Sequence, residues 1–266
     1  MVYPDSGFVT LNVKFNQRNL FIGKNVTIAA SAKIGDNCTI YDNVSIGENS
    51  IIANDCVIGE PLSGYYSDVE NYQNPATEIG ANALIRSHAI IYAGNRFGDF
   101  FSTGHRVIVR ENNVFGNHCH LGTFTDIQGF SVFGNYMRTH SSVHICQHSR
   151  VGDFVMIYPF VVFTNDKYPP TTIPQGPEVG NYTQIAVNAV LHRGVKVGKH
   201  CLIGNGSSIA MDMADYTFFA GNPAKLICDV RDLGQAKGET YYPWPLRFER
   251  GMPWEGIGYE NWLKGE

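Results

Sequence analysis

The sequence predicts an all-β fold, a triangular parallel β-helix built from six-residue repeats. Three observations lead there: apolar residues recur at every sixth position, glycine often follows them, and small or β-branched side chains recur four positions on. The first run is Ile22, Ile28, Ile34, Ile40, Ile46, Ile52 and Ile58. A second restarts at Ile79 and passes through Leu121, Ile127 and Ile145 to Phe163, and a third runs from Val179 to Ile209. A period of six fits neither a 3.6-residue helix nor a long alternating strand. It fits three short strands per coil, each pointing one apolar side chain inward. Eighteen residues then complete a coil, and coils stack at about 4.8 Å. The small residues Val26, Ala32, Cys38, Val44, Ser50 and Cys56 fall at corners, where bulk would meet the next coil. The glycines of FIGKNV, KIGDNC and RVGDFV are expected to supply backbone angles that other residues adopt reluctantly.

Two stretches interrupt the hexads. Residues 61–75 and 164–178 are rich in Pro, Gly, Asp and Asn and read as protruding loops. Loops of this length often bind something. The second is the better functional candidate, because the polar columns described below lead into it. Residues 1–227 form the β-helix domain. Residues 228–266 leave the pattern, hold all three tryptophans and read as a mixed extension. It is expected to pack on the solenoid or on a neighbouring subunit, capping the exposed end. A helix is expected at residues 224–233.

Composition narrows the function. The 266 residues carry a formal charge of -4 with no dominant Lys/Arg cluster, which argues against nucleic acid or an anionic membrane as partner. No stretch reaches the ~18 apolar residues of a membrane span. The opening MVYPDSGFVTLNVKF lacks the pattern of a signal peptide. The six cysteines are scattered, with no CxxC pair. The expectation is a soluble, cytoplasmic protein.

Residues 18 apart stack. Asp126 and His144 differ by 18, so the carboxylate lies against the imidazole one coil away. Such a pair can act as an oriented proton acceptor, or it can simply tie two coils together. Glu111, Gln147 and Asn165 share a second column, three residues along. Together the columns form a polar surface strip that runs into the second loop. Asn165 and Asp166 can hold an amine or hydroxyl, or shape the turn. His140 is the best remaining histidine for a cleft. His105, His118, His120 and His148 read as polar surface.

The tandem Ile/Leu/Val-Gly repeats resemble the left-handed β-helix of hexapeptide-repeat acyltransferases, over almost all of residues 21–225. Parallel crossovers are normally right-handed, so the left hand rests on this resemblance alone. FFAGNPAKLI, residues 218–227, is similar to the closing segment of such domains. The resemblance implies a homotrimer using acetyl-CoA or another acyl-CoA as co-substrate. VVFTNDKYPP, residues 161–170, with TGHRVIVREN, residues 103–112, resembles N-acetyltransferases of nucleotide-linked amino sugars. That implies amine attack on the thioester, with a dTDP-amino-dideoxyhexose as an example of the acceptor. Some of these enzymes use acidic residues to position the amine, a role open to Glu111 and Asp126. Some carry a glutamate one coil before the loop asparagine. This chain has Gln147 there, and an amide takes no proton.

Related zinc carbonic anhydrases share the solenoid. His105 and His140 are 35 apart and His140 and His144 four apart, one residue short of the zinc spacing at each step, so no metal is expected. Small residues at Ala186, Ala189 and Gly204 suit a close pantetheine arm, and Lys199 and Lys225 suit CoA phosphates. A sugar O-acetyltransferase of the same fold and a non-catalytic structural trimer are the alternatives.

Overall fold

The computed structural model describes residues 15, 17–170, 172–234 and 242–265. The chain is a left-handed parallel β-helix with a C-terminal extension. Among the described residues, three sheets form its faces, parallel throughout except for the last strand of the third. The first has ten strands, from Phe21–Ile22 to Ser208–Ile209. The second has nine, from Thr27–Ile28 to Lys196–Val197. The third has eleven and ends in Thr217–Ala220 and Lys225–Asp229. Pairing follows the 18-residue step, as in Ile108↔Asp126 and Ile127↔Ile145. The inward hexad residues Ile58, Ile85, Leu121, Ile127 and Ile145 have no exposed surface, and the corner residues Cys38, Ser50 and Cys56 are equally buried.

The hexad glycines serve a different purpose from the one the sequence suggests. Apart from Gly59 (φ 77°), their φ angles lie outside the left-handed region. A Cβ on Gly134 would stand 2.6 Å from the Asp153 nitrogen and 2.7 Å from the Gly152 carbonyl carbon, so it is the next coil that requires glycine. The left-handed angle falls two residues later, at Tyr136 (φ 57°), and at its equivalents around each coil. Early coils use asparagine there, as at Asn37 and Asn43, a residue that tolerates this region.

Later coils place rings at one corner. Phe100, His118, Tyr136, Phe154, Tyr182, His200 and Tyr216 stack in sequence, 4.4 to 5.1 Å between centroids. The extension docks on this ladder within the same chain. Trp254 and Trp262 meet Phe154, and Trp244 donates to the Tyr182 carbonyl at 2.9 Å. The helix expected at 224–233 is instead the strand Lys225–Asp229 followed by a 3₁₀ turn, Val230–Asp232. The strand pairs antiparallel with Thr217–Ala220, covering an edge that would otherwise be unpaired.

The first loop, between Val57–Glu60 and Thr77–Ile79, contains the short helix Ser63–Ser67. Buried Asn74 ties it down by donating to the Gly59 carbonyl at 2.7 Å. The second loop lies between Val162–Phe163 and Glu178–Val179. Arg150 pairs with Glu178, a step of 28 rather than 18, so ten extra residues enter this coil.

Candidate functional site

Asp126 and His144 each begin a two-residue strand on the first face, with Ile127 and Ile145 turned into the core. Alternation therefore sends both polar side chains outward. His144 Nδ1 lies 3.0 Å from Asp126 Oδ2. Gln128 donates to both carboxylate oxygens at 3.0 Å, fixing the acid from the other side. An ionised carboxylate only accepts, so Nδ1–H donates to it, and in the neutral ring the lone pair is on Nε2. The side chains remain 41 % and 37 % exposed, open to a second molecule. Val162 covers His144 one coil up, and the second loop leaves the solenoid directly after Phe163.

Glu111 does not join an open strip. It is 8 % exposed, and Arg110 clamps it through two hydrogen bonds of 2.8 and 3.2 Å. Gly129 stacks on it in the same column, where a Cβ would meet the Glu111 carbonyl oxygen at 2.7 Å. The neighbouring arginine explains the burial, because a paired carboxylate can leave water at lower cost. Gln147 continues that column, half-buried beneath the return of the loop at Gly176. Asn165 sits at the neck of the loop, its carbonyl accepting from Gln175 N–H at 3.1 Å. Asp166 follows it, half-buried.

The residues assigned to the donor divide. Ala186 donates its N–H to Ile203 O, and Gly204 donates to Phe219 O. Ala220, which a Cβ on Gly204 would meet at 2.9 Å, pairs with Lys225. These residues form one line along the turn between the third and first faces. His140 and Tyr158 extend the line back to the coil of His144. Ala189 is fully buried in the core, and Lys199 lies at a different corner beside Asp215. Neither joins that line.

A larger feature lies on the third face. Ser102, His120, Arg138 and Met156 project in one outward column. The extension returns over them with Phe248 and Arg250, enclosing a cleft of about 890 Å³. His140, the histidine expected in a cleft, also lines it, and so do His105 and His118, which read as polar surface. His120 Nδ1 is 2.9 Å from Ser102 Oγ. Burial, then the charges of Arg138 and Arg86, push its pKa down to about 4. The 18-residue spacing of Ser102, His120 and Arg138 could have revealed the column. The closing wall comes from more than a hundred residues away. Among the described residues, no three His, Cys, Asp or Glu side chains converge as metal ligands. No helix among them is long and apolar enough to cross a membrane.

No family model matches the chain. A chloramphenicol acetyltransferase of Escherichia coli is 29% identical over 93 residues, 32% of this chain and 44% of that protein, so the chain spans less than half of this relative's length. Among solved structures, a UDP-N-acetylglucosamine O-acyltransferase of Moraxella catarrhalis RH4 is similar at 22% identity and TM-score 0.46, covering 84% of this chain and 77% of the other. A maltose O-acetyltransferase of Clostridium difficile 630 is similar at 22% identity and TM-score 0.31, covering 49% and 70%.

Proposed function

We propose that the chain transfers an acyl group from a coenzyme A thioester to a sugar hydroxyl, with His144 as proton acceptor and Asp126 as its positioning residue. The observation that carries this reading is the 3.0 Å contact that engages Nδ1 with the carboxylate and leaves Nε2 outside that contact, on a half-exposed side chain. A hydroxyl must lose its proton as it attacks, whereas an amine that arrives neutral attacks through its free lone pair. A built proton acceptor therefore favours oxygen over nitrogen as the nucleophile.

In the proposed step the hydroxyl oxygen bonds to the thioester carbonyl carbon while its proton passes to Nε2. The tetrahedral intermediate then collapses, the carbon–sulfur bond breaks, and the imidazolium returns the proton to the leaving thiolate. The line Ala186, Gly204 and Lys225 offers the donor a path of small side chains ending in a cation. Gly204 lies three coils above His144, about 14 Å at the usual strand spacing. Phe124 and Phe160, 55 % and 57 % exposed, flank the pair at the preceding corner, as a homotrimer contact would require. A CoA donor would place the reaction in the cytoplasm.

The second reading is N-acylation of a nucleotide-linked amino sugar. It is favoured by the loop of Asn165 and Asp166, which opens one coil above His144. Gln147 and His140 would then contribute to acceptor binding, with Glu111 held back by Arg110. Thiol release from acetyl-CoA, measured with matched hydroxyl and amino sugars, free and nucleotide-linked, separates the two. Acetylation of the hydroxyl member of a pair, read by product mass, is expected. Acetylation of amines alone would establish the second reading. Failure of the chain to bind CoA at all would reject both in favour of a structural role.

A further inference from the structure

We propose that the cleft on the third face is a binding site for the phosphoryl group of a phosphorylated ligand, separate from the Asp126–His144 pair. Three arginines line it, Arg86, Arg138 and Arg250, and none of its lining residues is an acid. Arg138 is the centre of the argument. It donates to the main-chain carbonyls of Arg250 at 3.1 Å and Gly251 at 2.6 Å, so neutral oxygens rather than a carboxylate hold its guanidinium. Its Nε is buried and has no hydrogen-bond partner among the described residues. Glu255, the acid whose charge reaches Arg138, accepts from the Gly251 N–H at 2.7 Å. A desolvated guanidinium without a close counter-ion is costly, and an anion seated beside it would offset that cost.

The surroundings suit the same occupant. Burial, then the nearby charges of Arg138 and Arg86, favour the neutral form of His120, so the cleft's fixed charges are those of its arginines. Phe100 and His118 stack at 4.5 Å within the aromatic ladder and line one wall of the cleft. Guanidinium groups bind phosphate through paired N–H donors, so three of them converging on one cleft favour that anion over a diffuse acidic surface. The proposal holds whether or not His144 is the proton acceptor, since it concerns binding alone.

Isothermal titration of the full chain with inorganic pyrophosphate, UDP and CoA tests it. Saturable binding of at least one is expected. Arg86→Gln and Arg250→Gln should each weaken it about tenfold, the loss of one charge-assisted hydrogen bond. Both side chains are exposed, so the fold should tolerate the changes. Arg96→Gln, on the second face and paired with Glu78, should leave binding unchanged. Preference for UDP over pyrophosphate would identify a nucleoside diphosphate as the ligand. Preference for CoA would assign the cleft to the acyl donor. Absence of saturable binding by all three probes, or binding that both substitutions leave intact, overturns the proposal.

Discussion

His144 on the first face and His120 on the third hold the same place in the coil. Each is the outward residue opening a two-residue strand, and each meets a side chain one coil below through Nδ1. For His144 the partner is the Asp126 carboxylate at 3.0 Å; for His120 it is the Ser102 hydroxyl at 2.9 Å. His144 stands half-exposed among Val162, Gln128 and the neck of the second loop. His120 lies under the extension beside two arginines, and its pKa falls to about 4. The repeat thus fixes where an imidazole points, while the neighbouring column and the covering segment decide what it can do. A carboxylate holds the tautomer and stabilises the imidazolium of a proton transfer. A hydroxyl beside two guanidinium groups leaves a neutral hydrogen-bonding ring.

The contrast can be broken from either side. The largest expected effect is that of His144→Asn, which should lower kcat by about 10²–10⁴-fold, the usual contribution of a positioned base, with little change in CoA affinity. Steady-state kinetics with a binding titration check it. Asp126→Ser, which gives His144 the partner His120 has, should cost less, because the ring remains and only its orientation is lost. The reverse exchange, Ser102→Asp, should raise the titration midpoint of His120 by about 1 to 3 pH units, read by NMR.

The smallest expected effect concerns acid stability. The folded pKa of His120, about 4, lies below its ordinary value of 6.5. Between these values the unfolded chain binds more protons, so stability should fall as pH drops from about 6.5 to 4. The charged and titratable groups facing the ring are Arg138, Arg86 and His140. His120→Gln should flatten this part of the pH profile in denaturant melts.

The solenoid was legible in the sequence because one residue in six must fill the same interior, and each coil repeats the demand. The Asp126–His144 pair was legible for the same reason, since stacking turns a spacing of 18 into a contact. The aromatic ladder could have been read from Phe100, His118, Tyr136 and Phe154, which share that spacing. Three features escaped because they depend on neighbours outside the period. Glu111 is buried through Arg110, at the adjacent position. The strand Lys225–Asp229, expected as part of a helix, pairs instead with the edge that Thr217–Ala220 offers. The cleft exists because Arg138 meets the carbonyls of Arg250 and Gly251, contacts that no repeat encodes.

The most direct measurement is the pH dependence of kcat for acetyl transfer from acetyl-CoA to a sugar hydroxyl, in the wild-type chain and in His144→Asn. The account predicts an acid limb in the wild type, where protonation of the imidazole stops turnover, and a slow variant that lacks that limb. Equal turnover with the same profile in both proteins would contradict it.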